Sequence, residues 1–204
     1  MAASPGRGTR RIFLAVPVAP ALRDTMLSVL GSRLGDHGAL RWVRGDGLHV
    51  TLRFLGEITP FEVDRAVKAA RAAAGSLEVF SITFAGGGAF PSLRAPRVVW
   101  AGVTGGADRL VSLAKTLDAA LAKQRFPGTP QRFHPHVTVA RVRAGAPPPD
   151  LRFLAEQLSG PDAPVIGTQL VDAIVVMEST LAPSGARYQE VYRAAFGEGS
   201  PPGA

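Results

Sequence analysis

Apolar residues fall along this chain in two alternating rhythms. Ile12–Val18 is an apolar run of strand length, and Arg11-Ile-Phe-Leu-Ala-Val reads as a first buried strand. From Pro20 to Leu34, residues Leu22, Met26, Val29, Leu30 and Leu34 recur at helical spacing. Arg41–Glu57 is strand-like around Leu48–Leu55. Thr59-Pro60-Phe61-Glu62 combines a capping box with proline at the first helical position, and the helix it opens carries Val63, Val67, Ala70 and Ala74 on one face. Leu77–Phe84 predicts a strand that ends in a loop at Gly86-Gly87-Gly88, and Arg97–Val103 predicts another strand. Leu110, Leu113, Leu117 and Leu121 mark a helix from Gly106 to Arg125. His136–Val142 is a strand and Ala144–Pro149 a rigid linker. Asp150 is placed to cap a short helix with Leu151, Leu154 and Leu158 inward, closed by Gly160. Val165–Met177 and Tyr188–Phe196 are strands joined by a turn containing Pro183-Ser184-Gly185. Residues 1–10 and 197–204 read as flexible ends.

The resulting order is β-α-β-α-β followed by β-α-β-α-β-β. Such alternation argues for α/β or α+β layers, and its near-repetition for two similar lobes within one domain spanning residues 11–196. The 204-residue length suits one domain, and 46% apolar residues exclude a disordered chain. The sequence has no cysteine, which excludes disulfides, thiolate metal sites and cysteine nucleophiles. A net charge of +7 favours anionic partners: nucleic acid, nucleotides or an acidic membrane surface. Charge alone does not choose among them. No run of apolar residues is long enough for a transmembrane helix. Arg7, Arg10 and Arg11 before an apolar run, with Ala-Pro-Ala at 19–21, imitate a secretory signal. Pro17 and Pro20 cut that run short and a helix pattern follows at once, so a cytoplasmic location is expected.

One tripeptide occurs twice. Gly47-Leu48-His49-Val50-Thr51-Leu52-Arg53-Phe54 and Phe133-His134-Pro135-His136-Val137-Thr138-Val139-Ala140-Arg141 share His-Val-Thr, 87 residues apart. Chance would give about 0.2 His-x-Thr pairs in a chain with 4 His and 11 Thr, so two matched copies in strand-like segments carry weight. Residues i and i+2 of a strand share a face. His49 and Thr51 therefore project together, as do His136 and Thr138, with the valines turned to the other side. Histidine titrates near pH 6.5, so two opposed rings offer one neutral base and one protonated acid near neutrality. That suits in-line displacement at phosphorus without a metal, the threonine hydroxyls holding non-bridging oxygens. Arg53 shares the parity of His49 and Thr51 and is expected to add positive charge there. Arg141 has the wrong parity and needs a bulge or twist to reach the cleft.

Their surroundings extend the pattern. His49-Val-Thr-Leu-Arg-Phe-Leu-Gly56 and Phe133-His-Pro-His136-Val-Thr-Val-Ala-Arg141 resemble the paired motifs of the two-histidine phosphoesterases, most closely the RNA 2′,3′-cyclic phosphodiesterases historically called 2′-5′ RNA ligases. Arg11-Ile-Phe-Leu-Ala, Arg41-Trp42-Val43, Pro96-Arg97-Val98-Val99-Trp100-Ala101 and Gly185-Ala-Arg-Tyr188 look similar too, and the resemblance spans about residues 10–193. It implies an α+β fold of two pseudo-twofold lobes, with antiparallel-rich sheets and outer helices flanking a central cleft. It implies hydrolysis of an RNA 2′,3′-cyclic phosphate to a 2′-phosphate, with His49 as proton donor and His136 as acceptor. It also implies phosphate contact by Arg141, no cofactor or metal, and an oligonucleotide as the partner of a monomer. Val139 stands where the family often has leucine, a volume-tolerant change.

Other readings stay open at this stage. The histidines are also compatible with structural roles, and Thr51 and Thr138 are good strand formers anywhere. His134 is expected at the rim and His37 in a surface turn. Phe133 and Tyr188 are candidates to stack on a base, with core packing at least as good for Phe133. Gly102-Val-Thr-Gly-Gly lacks the ending of a phosphate-binding loop. The competing functions are the same chemistry on a small cyclic nucleotide, a non-catalytic RNA-binding module, and a metal site using His49, His134 and His136.

Overall fold

The computed structural model describes residues 8–35, 38–129, 132–147, 149–152, 155–160, 163–182 and 185–197. In chain order the elements are β1 (Arg10–Pro17), α1 (Pro20–Leu34), β2 (Leu40–Trp42), a 3₁₀ turn (Gly45–Gly47), β3 (His49–Ile58), α2 (Pro60–Ala74), β4 (Phe80–Phe90), β5 (Val98–Gly105), α3 (Ala107–Lys123), β6 (His136–Val142), α4 (Ala155–Ser159), β7 (Val165–Val171), β8 (Ala173–Ala182) and β9 (Gly185–Ala195). The expectations for His37, Leu154 and Pro183-Ser184 lie outside the described residues.

Among the described residues the nine strands form one sheet in the order β7-β4-β5-β6-β3-β1-β8-β9, with β2 added beside β6. Every pairing is antiparallel. The order is symmetric about the β6/β3 junction, four strands to each side, which is the two-lobed α+β architecture expected from the sequence. The repeating units of the sequence are not the lobes in space, however. In β1-α1-β3-α2-β4 and in β5-α3-β6-α4 followed by β7 and β8, strands β4 and β8 each complete the other unit's half. The first helix of each unit also crosses over: α1 packs toward β7, and α3 packs on β3 and α2.

Local chemistry explains the elements. At α2, Thr59 Oγ1 accepts from the Glu62 amide and Glu62 Oε2 accepts from the Thr59 amide at 2.8 Å, the capping box read from sequence. Helix α1 buries Met26, Leu30 and Leu34, and α3 buries Leu110, Leu113, Leu117 and Leu121, all at helical spacing. These faces meet Ile12, Leu14, Val50, Val137, Val139 and Val176 of the sheet in one continuous core.

Two expectations are corrected. Val165–Met177 is not one strand: β7 pairs with β4 in one half, β8 pairs with β1 and β9 in the other, and the chain passes between them through Asp172 alone. The sheet must therefore curl until strands at distant places in its ladder stand one residue apart. Gly86-Gly87-Gly88 is not a loop, because β4 runs through all three. A β-carbon on Gly88 would lie 2.5 Å from the Trp100 indole, so the glycine lets that ring lie flat across the strand.

Candidate active site

Strands β3 and β6 touch at their beginnings, with Val50 opposite Val137 as their ladder pair. That register lays His49-Val50-Thr51 antiparallel against His136-Val137-Thr138, so the overlap of the strands is the repeated tripeptide itself. Both valines are wholly buried beneath the sheet. The strand period then sends His49, Thr51, His136 and Thr138 to the opposite face, each histidine nominally across from the other copy's threonine. The two histidines occupy a diagonal of this array, where Cα atoms stand about 7–8 Å apart.

Each ring is held in the same way. His49 Nδ1 lies 2.7 Å from the Gly47 carbonyl oxygen, and His136 Nδ1 lies 2.7 Å from the His134 carbonyl oxygen. A carbonyl only accepts, so Nδ1 carries the hydrogen in both rings. Nε2 is left as the basic nitrogen of each neutral imidazole. Aromatic rings brace both from the side. Phe13 and Tyr188 stand 4.7 and 5.1 Å from His49, centroid to centroid, and Phe90 stands 5.1 Å from His136. Exposed His134 sits 5.1 Å from Trp100 at the rim, and Phe133 packs against the core.

Burial lowers the pKa of both rings because it penalises the charged form. Arg141 adds to the effect in each, and His136 acts on His49 as well. The result for His49 is about 4. The expected arrangement of one protonated and one neutral ring near pH 7 is thus replaced, in the free protein, by two neutral rings. The nearest charges that act on them are positive.

Paired bulges decide which arginine reaches this face. Ala15 pairs with Thr51 and Leu14 with Arg53, so Leu52 is an extra residue on β3. Trp100 pairs with Thr138 and Val99 with Ala140, so Val139 is the extra residue on β6. Each bulge reverses the parity beyond it. Arg53 is thereby turned to the helix side, contrary to expectation. Its side chain is 9% exposed, donates to Asp118 Oδ1 of α3 at 3.2 Å, and donates to the Pro127 carbonyl. Phe54 takes its place on the site face and is half exposed. Arg141 comes onto the site face for the same reason.

A cavity of about 320 Å³ opens over His49 and Thr51, lined also by Arg11, Phe54, Arg141 and Tyr188. Sequence reasoning missed several of its contributors. Arg41 stands opposite Arg141 across β2 and β6, and Ser179 is buried opposite Tyr188 on β8 and β9. Only three-dimensional pairing brings them in; Arg41 alone had a local sign, as a cation in a short strand-like stretch. Among the described residues no three His, Asp or Glu side chains gather into a group that could hold a metal ion. No helix among them is long and apolar enough to cross a membrane.

The profile of the 2′-5′ RNA ligase superfamily matches residues 17–180. A protein of Aeropyrum pernix named RNA 2′,3′-cyclic phosphodiesterase is 35% identical over 153 residues, covering 75% of this chain and 84% of that protein. The protein of the same name from Methanothermobacter thermautotrophicus is 31% identical over 186 residues, covering 90% and 98%. Among solved structures, TT0787 of Thermus thermophilus matches with a TM-score of 0.75 at 26% identity, covering 92% of this chain and 98% of that one. E. coli LigT complexed with 3′-AMP matches with a TM-score of 0.69 at 26% identity and the same coverage. A profile match over most of the sequence, joined to relatives above 30% identity along most of their length, places this chain in the 2′-5′ RNA ligase superfamily.

Proposed function

We propose that the protein hydrolyses the 2′,3′-cyclic phosphate at the end of an RNA to a 2′-phosphomonoester, with His136 as general base and His49 as general acid and without a metal. Residues 11–196 act in this reading as one bilobal, monomeric unit. The observation that carries it is the pair of imidazoles on one sheet face, each fixed through Nδ1 and each presenting Nε2. The names of the relatives support the substrate class.

Each step has a group to perform it. Water attacks phosphorus in line with O3′, and His136 Nε2 takes the proton that water loses. The P–O3′ bond breaks, and His49 Nε2–H gives its proton to O3′. The products are a 2′-phosphate and a free 3′-hydroxyl. His136 ends the cycle protonated and His49 neutral, so solvent restores both rings. Thr51, Thr138 and Arg141 hold the non-bridging oxygens, and Tyr188 lines the nucleoside side of the cavity. The substrate also supplies the charge that favours a protonated acid. Its anionic phosphodiester offsets the burial and the Arg141 charge, raising the His49 pKa so that the ring becomes protonated on binding.

The test is an oligonucleotide with a 2′,3′-cyclic end incubated with pure protein in EDTA. Conversion to the 2′-phosphate that disappears in both His49→Ala and His136→Ala is the expected result. Binding that survives those substitutions without any turnover by the parent protein would instead make the chain an RNA-binding module. Activity abolished by EDTA and restored by a divalent metal would overturn the metal-free scheme.

A further inference from the structure

A second cavity of about 380 Å³ adjoins the one over His49, and the two share Arg41, Arg141, Ala186 and Tyr188 as lining. The second cavity adds Arg44, Arg187 and Asp46, which brings four arginines and one carboxylate to its walls. We infer that this arginine-lined cavity is a subsite for the phosphodiester on the 5′ side of the terminal nucleotide, so that the protein selects chains of two or more nucleotides over a lone 2′,3′-cyclic nucleotide. The inference rests on the RNA-end reading above.

Three features of the cavity call for an anion. Arg41 and Arg141 are direct cross-strand partners on β2 and β6, and like charges directly opposite repel. The side chains of these two and of Arg187 have no hydrogen-bonding or ion-pairing partner among the described residues. The single acid, Asp46, meets Arg44 only loosely, at 3.4 Å, with both side chains largely in solvent. Such a cluster is unfavourable without a counter-charge and is relieved by a bridging anion, and guanidinium forks match phosphate oxygens in pairs.

The chemistry of the substrate identifies which anion. A 2′,3′-cyclic phosphate is the 3′ terminus of a chain, so the rest of that chain leaves the terminal sugar through O5′ alone. With the cyclic phosphate at His49 and the nucleoside in its cavity, the next anion met is the phosphodiester on O5′. The cavity that shares Arg141 and Tyr188 with the first is where that group would arrive. Arg141 then stands between two successive phosphates, and Arg44 and Arg187 serve only the second.

The experiment compares three substrates: a 2′,3′-cyclic mononucleotide, a dinucleotide with a 2′,3′-cyclic end, and that dinucleotide with its internal linkage made neutral as a methylphosphonate. The parent protein is expected to favour the charged dinucleotide by about tenfold or more in kcat/KM, in keeping with charge-assisted hydrogen bonds. The methylphosphonate should behave like the mononucleotide. The double variant Arg44→Ala, Arg187→Ala changes two residues at the solvent-facing wall of the second cavity. It should lose the dinucleotide's advantage, chiefly through KM, and leave mononucleotide turnover as in the parent. Equal loss on all three substrates, or a dinucleotide advantage that survives the double substitution, would overturn the inference. If the parent turns over none of them, the RNA-end reading itself has failed. Calorimetric binding of the 2′-phosphorylated dinucleotide against the 2′-phosphorylated mononucleotide then decides the subsite by the same variant, and equal affinities would reject it.

Discussion

His49 gives a stability test that needs no substrate. Asparagine at this position keeps an N–H able to reach the Gly47 carbonyl but cannot take a proton in the same range. In the unfolded chain the imidazole is protonated near 6.5, whereas in the folded protein it resists until about 4. Between those values the unfolded state binds more protons, so acidification drains stability from the native protein. The contribution of the neutral ring is whole above about pH 6.5 and is lost as the pH falls toward 4. Each tenfold in proton affinity is about 1.4 kcal/mol, so the loss approaches about 3 kcal/mol at pH 4. Carboxylates also lose their favourable contributions in that range, but they are common to both proteins and cancel in the comparison. Urea unfolding followed by the fluorescence of Trp42 and Trp100, from pH 7.5 to 4, gives the difference in free energy between parent and His49→Asn. That difference should move by about 3 kcal/mol against the parent, with equal m-values. A difference that stays constant within about 0.5 kcal/mol would refute the claim that burial holds this ring neutral.

The ring environment has further consequences. The His49 Cε1–H resonance should titrate near pH 4 in the free protein and at higher pH once a 2′-phosphorylated mononucleotide, the proposed product, is added to saturation; a midpoint unmoved by a bound anion would remove substrate-induced protonation from the mechanism. Arg141→Ala should raise the pKa of both rings, since its charge lowers each. It should also raise KM, so a pH–rate profile shifted to higher pH together with weaker binding is the expected pair of results, against no shift if Arg141 lies away from the phosphate. Arg53→Ala should cost roughly 1–3 kcal/mol in thermal or urea unfolding, by leaving Asp118 and the Pro127 carbonyl without their donor, and should leave KM unchanged. A β-carbon on Gly47 would come within 3.0 Å of Tyr188 and 3.2 Å of Val43, so Gly47→Ala should displace the carbonyl that orients His49 and lower kcat more than it raises KM.

Much of the site was legible because strand parity and the duplicated tripeptide are local signals. His49, Thr51, His136 and Thr138 share a face as the period of two requires, and the Thr59 capping box and leucine spacing of α3 fix two helices in the sequence itself. What escaped was anything set by a partner strand. Parity counting turned Arg53 toward the groove and Arg141 away from it, and the extra residues at Leu52 and Val139 reverse both assignments. No pattern around Leu52 or Val139 announces a bulge, since both remain buried apolar residues. The break at Asp172 was hidden inside a long apolar stretch because β7 and β8 follow each other with a single residue between them. The neutral state of the two histidines depends on burial and on Arg141, neither of which the tripeptide encodes.

The exchange of β4 and β8 between the two sequence units sets how the polypeptide can be divided. Cut between β4 and β5, the N-terminal piece would keep β4 without β5 and β7, the neighbours that flank it. The C-terminal piece would keep β7 without β4, its partner in the ladder. Neither piece closes a hydrophobic layer by itself, so each imidazole reaches its working position only after both pieces have assembled. A split protein built at that joint would report on encounter of its fragments by gaining activity, with no background from either one alone.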